Sequence, residues 1–300
     1  MSHGPSPAVP SPSAGASLSL GPWEAIGDRT WRAVAEPEAV TIGLVAGSAG
    51  ALVIDTGSTP AQGAEIRRTA EAVAGVPVTA VALTHAHYDH VGGLAAFRDL
   101  PSYAHERLAG HLADPGLLAA LAPYGVTAVD LPAPTRIFGV ARAVPLGDRV
   151  VELISVGHAH TDHDSIAVVA DARLVFAGDI VEPAGPQLGP DADPERWPGA
   201  LDHLIGLLLR PDWLAYPGHG APMTMADITL QRGWIASILG EVTNLVSDGV
   251  RYENAEQRGD WPFPWPRIAA GVRTAYDLLA ARGFAPRDQL PIIRKDVRED

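Results

Sequence analysis

One stretch of seven residues limits this chain more than any other: Thr84-His85-Ala86-His87-Tyr88-Asp89-His90. It follows directly on residues 76–83, an apolar run with the length of a buried strand. A turn leaving a strand points alternate side chains into one space, so these imidazoles and the carboxylate gather as nitrogen and oxygen donors, which suits a metal ion. Chance would produce His-x-His-x-Asp-His on the order of once in a thousand chains of this composition. A metal site is therefore the stronger reading than a solvated His-rich loop.

Three further strand ends carry the same chemistry. Gly157-His158-Ala159-His160-Thr161-Asp162-His163-Asp164 follows the strand expected over 149–156. Phe176-Ala177-Gly178-Asp179 ends another strand on an acid, which alone would as readily be a helix N-cap. Tyr216-Pro217-Gly218-His219-Gly220 ends a third in a tight turn that exposes one His.

Composition narrows what such a site can be. The chain of 300 residues is 47% hydrophobic and 19% charged, the balance of a packed globular protein. It has no cysteine, so a disulfide scaffold, thiolate ligands and a Cys nucleophile are excluded, and any metal must be held by His, Asp and Glu. The net charge of −13 argues against nucleic acid, whose binding rests on clustered Lys and Arg. No run of eighteen apolar residues predicts a membrane span. The N-terminus lacks the basic start and apolar stretch of a signal peptide, so a cytoplasmic location is expected.

Residues 1–19, rich in Pro, Ser, Ala and Gly, read as a flexible tail. Strands are expected at 40–45 and 52–54 around the turn Gly47–Gly50, then at 76–83, 149–156, 166–170, 174–177 and 213–216. Helices are expected at 59–73, 92–97 and 105–121, and behind Asp193-Pro194, where Leu201, Leu204, Ile205 and Leu208 share a face. Beyond about residue 223 the pattern turns helical. One stripe carries Ile235, Ile238, Leu239 and Val242, and another carries Ile268, Val272, Ala275, Tyr276 and Leu279. Trp261-Pro-Phe-Pro-Trp-Pro interrupts them, since proline cannot continue a helix. The expected organisation is a tail (1–19), an α/β domain (20–222) and a helical C-terminal extension packed on it (223–300).

The ordered motifs, together with Val53-Ile54-Asp55-Thr56-Gly57, resemble those of the metallo-β-lactamase superfamily from about Gly43 to Gly220. The resemblance implies a four-layer αβ/βα sandwich. It also implies two divalent metal ions, with zinc the first choice and iron or manganese as alternatives. On that resemblance His85, His87 and His160 hold one ion and Asp89, His90 and His219 the other. Asp179 bridges both, and Asp55 supports the site as a buried acid. His158 sits where the family often has Pro and at most lines the pocket; His163 and Asp164 are either hydrogen-bonded within the site or polar loop residues. Tyr88 is a candidate pocket wall. His105, His111 and His203 read as surface or structural histidines, and Trp23, Trp31, Trp213, Trp234 and Trp261 as packing.

A dinuclear hydrolase of this kind would attack its substrate with a hydroxide shared by the ions, with Asp89 steadying it and carrying a proton. Absence of Cys and presence of Asp179 separate the chain from the most studied β-lactamase branches, and its charge disfavours the nuclease branches. What remains is cleavage of a small acyl substrate, a thioester as in glyoxalase II, a lactone, an ester or an amide. The extension, with Trp261, Phe263 and Trp265, is expected either to wall the substrate or to serve as a structural clasp or dimer surface. The alternative from another class is a mononuclear iron oxygenase resembling persulfide dioxygenase; a non-catalytic metal-binding module is the third. A small-molecule partner is expected, without nucleic acid or membrane, and a homodimer is compatible with the pattern.

Overall fold

In the computed structural model, which describes residues 18–207, 210 and 212–286, the first half of the chain forms a seven-stranded sheet. Its strands are β1 (Glu24–Gly27), β2 (Thr30–Ala35), β3 (Val40–Ala46), β4 (Ala51–Ile54), β5 (Val78–Ala82), β6 (Ser102–His105) and β7 (Arg136–Phe138). They lie side by side in chain order, antiparallel through β4 and parallel from there on. Every residue of β3 and β4 is buried, as expected of runs covered on both faces.

The second sheet holds β8 (Ala141–Pro145), β9 (Val150–Ile154), β10 (Ile166–Val169), β11 (Leu174–Gly178) and β12 (Leu214–Pro217), in the order β12-β11-β10-β9-β8. Only its β11–β12 pair is parallel. The sheets face each other across a shared apolar layer that includes Leu52, Ile54, Val151, Leu153, Val169 and Phe176.

Helices cover both outer faces, giving an α/β sandwich. On the first sheet lie α1 (Pro60–Ala74), α2 (Tyr88–Val91), α3 (Leu108–His111) and α4 (Pro115–Leu121) around Ile66, Phe97 and Leu108. On the second lie α5 (Trp197–Leu207), α6 (Met225–Ser247), α7 (Ala255–Arg258) and α8 (Trp265–Ala281). Their apolar stripes join Val168, Val175 and Ala215 of the strands in one core with Trp197, Leu204, Ile235, Ile238, Val242, Ile268 and Val272. Among the described residues no helix is long and apolar enough to cross a membrane.

Most elements read from the sequence are present within a residue or two. Thr59 caps α1 by accepting from Gln62 N–H, with proline in the first turn. Asp193 accepts from the N–H groups of Glu195 and Arg196 just ahead of α5. The single helix expected over 105–121 is absent. His105 ends strand β6, and two short helices follow, separated at Asp114-Pro115, where Asp114 caps the second. Proline there starts a new helix instead of continuing one. The short strands β1, β2, β6, β7 and β8 carry weak alternation and were not individually placed by it. Of the tail expected over 1–19 only residues 18 and 19 are described, and Leu208 of the α5 stripe lies outside the described residues.

Strand direction positions the chemistry. β4 and β5 run parallel, β11 and β12 run parallel, and β9 points the same way as β11 because each is antiparallel to β10. The residues that follow these five strands therefore emerge at one edge of the sandwich.

Candidate metal centre

Asp55 follows β4, His85 and His87 follow β5, and α2 carries Asp89 and His90. His160 lies in the loop after β9, Asp179 directly after β11 and His219 two residues after β12. Two groups of side chains converge there, His85 with His87, His160 and Asp179, and Asp89 with His90 and His219. Within each group the ligand atoms lie within 4.8 Å of one another. Asp179 lies between the groups. Its Oδ2 is 3.7 Å from His85 Nε2, 3.6 Å from His160 Nε2 and 3.4 Å from His219 Nε2, and its Oδ1 is 3.5 Å from His90 Nε2. Asp89 Oδ2 lies 3.2 Å from His219 Nε2 and 3.6 Å from His90 Nε2.

Each imidazole turns one nitrogen inward, and all but His160 offer the other to an acceptor within hydrogen-bond distance. His90 Nδ1–H donates to Asp55 Oδ2 at 2.9 Å. His219 Nδ1–H donates to Glu38 O at 2.8 Å. His85 Nδ1 is 3.1 Å from Thr84 Oγ1, whose own proton goes to Asp55 Oδ2. His87 Nε2 is 3.4 Å from Asp191 Oδ2, leaving Nδ1 inward, 2.9 Å from His160 Nε2. His160 Nδ1 has Glu182 Oε1 at 3.7 Å. An acceptor on the outer nitrogen fixes the proton there and leaves the inner lone pair free, which is how metal-ligating histidines are oriented. Of the inward atoms, His85 Nε2, His90 Nε2 and Asp179 Oδ1 are buried with no hydrogen-bond partner. Buried polar atoms are normally satisfied, and cations in the two groups would satisfy all three.

The backbone is shaped around this arrangement. Asp55 sits at φ 63°, a conformation a non-glycine residue rarely holds, and from there also accepts from Thr84 N–H at 2.8 Å. Gly218 passes so close to Asp179 that a Cβ would overlap its Oδ1 and crowd His90. Ala86 N–H, between the two histidines of the first motif, donates to His163 Nε2 at 3.0 Å. His163 Nδ1–H in turn donates to Asp162 Oδ1 at 2.9 Å. His111, Asp162 and His163 stand close enough to form a third donor group, yet both His163 nitrogens are used in this way and Arg107 Nη1 lies 3.1 Å from Asp162. The trio braces the loop.

A family model described as the metallo-beta-lactamase superfamily matches residues 35–219. The chain belongs to the metallo-beta-lactamase superfamily. A probable metallo-hydrolase of Bacillus subtilis (strain 168), YqgX, is 34% identical over 116 residues, which are 37% of this chain and 53% of that protein. The match thus spans about half the length of that relative. Among solved structures, a metallo-beta-lactamase from Pontibacter korlensis superposes with TM-score 0.60 at 20% identity, covering 73% of this chain and 99% of that one. FIM-1 of Pseudomonas aeruginosa, in its mono-zinc form, superposes with TM-score 0.59 at 20% identity, covering 72% and 95%. At such identities these likenesses concern the superfamily fold.

The superfamily centre in this chain is strongly polarised. Burial pushes His85 well below the usual imidazole range, with His90 adding to it, and brings His160 down to about 3, helped by His87. Burial also opposes a charge on His90 and His219, but the surrounding acids win. Asp89, Asp179 and Asp55 raise His90 to about 9, while Asp179 and Asp89 raise His219 to about 12. Burial alone would raise Asp89, yet His90 and His219 hold it at about 2, and His219, His90 and His85 hold Asp179 well below the carboxylate range. The carboxylates thus demand positive charge, which protons or metal ions can supply.

All seven candidate ligands and Asp55 are brought together. His158 stays outside both ligand groups, with Nε2 against Asp191 O at 2.8 Å. Tyr88 is buried and stacks on Tyr124 with ring centroids 6.1 Å apart. Asp164 is spent on its own turn, accepting from Thr161 N–H and Oγ1–H. The aromatic segment of the extension packs Trp261 against Trp265, Phe263 against Trp234 and Gly185, and Trp265 against Tyr252. Sequence reasoning missed Thr84, Asp191, Glu182, Gln231 and Arg267. Only Gln231 left a signal, as a polar residue inside the buried stripe of α6.

Proposed function

We propose that the chain is a dinuclear metal-dependent hydrolase acting on a small acyl substrate, a thioester, lactone, ester or amide. His85, His87 and His160 would hold one ion, Asp89, His90 and His219 the other, with Asp179 shared. The observation that carries this reading is Asp179, whose two oxygens face both groups, while His85, His87, His90 and His219 each have the outer nitrogen on an acceptor. Zinc is the first choice, since nitrogen-rich sites with carboxylates suit it. Bound divalent ions supply a Lewis acid for the scissile carbonyl and a water of lowered pKa.

The chain's own residues supply access, orientation and proton handling. His87 and His219 are the open side of the centre, each with a side chain 35% exposed, whereas His85, His90 and His160 are buried. Substrate therefore approaches across His87 and His219. Asp191 sits against His87, and Glu38 holds His219 by its carbonyl. The Asp191 carboxylate near the opening, with the chain's net charge of −13, repels polyanions and favours a small uncharged or cationic acyl compound. Asp89, whose Oδ2 lies beside His219 Nε2, would take the proton of the attacking water and return it to the leaving group.

Elemental analysis of protein purified without added metal or chelator, followed by thioester, lactone, β-lactam and phosphodiester panels, tests the reading. Near two metals per chain, with turnover of an acyl panel abolished by His87→Ala, is the expected result. A single iron per chain without hydrolysis, or Asp179→Asn with full metal content and full activity, would overturn it.

A further inference from the structure

The helices beyond Met223 reach the metal centre through polar side chains. Gln231, fully buried on α6, grips the loop that follows Asp179. Glu182 N–H donates to Gln231 Oε1 at 2.8 Å, and Gln231 Nε2 donates to Ile180 O at 3.0 Å. Arg267 on α8 closes the other side, with Nη2 2.9 Å from Glu182 Oε2 and Nε donating to Gly185 O at 3.1 Å. Gln187 N–H donates to the same Glu182 oxygen at 2.6 Å. Oε2 is thereby occupied, which sets the carboxylate's rotation and leaves Oε1 facing His160.

His160 is the one ligand imidazole whose outer nitrogen lacks a hydrogen bond: Nδ1 is buried, unpartnered and 3.7 Å from Glu182 Oε1. Moving it roughly 0.8 Å closer would give a hydrogen bond of ordinary length. A carboxylate in that place selects the tautomer with the proton on Nδ1 and the lone pair on Nε2, the atom that faces Asp179.

We propose that Gln231 and Arg267 hold Glu182 as the orienting acceptor for His160, so that the C-terminal helices are a positioning element of the metal centre. This rests on His160 being a ligand. Glu182 and Arg267 are positioning residues: neither needs to touch substrate, and their effect is on how tightly and in what geometry the ion is held.

The test uses the full chain. Zinc affinity is measured by competition with a chromophoric chelator, and the visible spectrum of the cobalt(II)-loaded protein reports ligand geometry. The variants are Glu182→Gln, Arg267→Met, Arg267→Lys and the control His87→Ala. Gln keeps the shape and an acceptor oxygen but cannot offer acceptors on both sides, so Glu182→Gln is expected to weaken zinc by about 10–100-fold and to change the cobalt spectrum. Arg267→Met should act in the same direction with smaller size, Arg267→Lys should recover part of it, and Glu182→Gln/Arg267→Met should be no weaker than Glu182→Gln alone, because both act through one carboxylate. If Arg267→Met does not fold, Glu182→Gln and Arg267→Lys decide the matter. Wild-type affinity and spectrum in Glu182→Gln, with zinc lost in His87→Ala, overturns the proposal while the metal centre stands. Zinc retained in His87→Ala as well overturns the metal centre itself, and this proposal with it.

Discussion

Asp55 shows how much one buried side chain carries. It accepts hydrogen bonds from Thr84 N–H, Thr84 Oγ1–H and His90 Nδ1–H, while its backbone is held in the left-handed region. Asp55→Ala leaves His90 without its partner, so a loss of about 3–5 kcal/mol in the metal-free protein is expected, with metal affinity about 10–100-fold lower. Urea denaturation and chelator competition read the two effects. Gly218→Ala forces a methyl into the Asp179 carboxylate, and its expected result is a folded protein with reduced metal content. Protons and metal compete at His90 and His219. The surrounding acids raise both, to about 9 and about 12, in the metal-free fold, so an ion binding there must displace protons. Zinc affinity should therefore rise with pH between about 6 and 8, and calorimetry in buffers of different ionisation enthalpy should show proton release. Affinity independent of pH would contradict this sign.

At the scale of elements, a strand ending in ligands is a recurring unit: β5, β9, β11 and β12 each deliver their donors into the loop that follows. Such units are local, and the sequence made them legible because strand, turn and donors are contiguous. The segment 105–121 was not legible. Strand β6 is four residues long, and the helices after it are too short for a 3.6-residue stripe to separate them from one longer helix. Helix α6 illustrates a stripe read correctly in period and incompletely in content. Ile228, Gln231, Ile235, Ile238 and Val242 are all buried, and the polar member is the one that holds the metal-centre loop. Gln231→Leu continues the apolar stripe but leaves Glu182 N–H unpaired, at a cost of about 1–3 kcal/mol. Ile180 O keeps the indole N–H of Trp197, so the loss is confined to one group. Denaturant unfolding of Gln231→Leu checks that size.

The whole molecule is layered, and its second outer layer is made by α5, α6 and α8 together. Val250, Ala255, Ile268, Val272, Ala275 and Tyr276 belong to the same core as Val175 and Trp197. Removing residues 250–300 would uncover that core beneath Ile235, Ile238 and Val242, so the truncated chain is expected to bind hydrophobic dye and lose cooperative unfolding. A truncated protein that melts cooperatively at the wild-type temperature would show that the layer is dispensable. Trp197→Ala, at the fully buried centre of this layer, should cost about 3–5 kcal/mol. Its indole also packs edge-on against His160 with ring centroids 5.8 Å apart, so weaker metal binding should accompany the loss.

By itself the sequence marked the candidate donors and the order in which the strands present them, because each motif combines a strand, a turn and its His and Asp residues within a few positions. It also determined what the site lacks, since a chain without cysteine can offer no thiolate. The tertiary structure alone decided what stands behind each candidate ligand. Asp191 reaches His87 across 104 residues, Glu38 holds His219 across 181, and Gln231 and Arg267 reach Glu182 across 49 and 85. No hydrophobic period or turn signal encodes such pairs. They arise when two sheets and their covering helices pack, and buried polar groups then take the partners that the packing brings within reach.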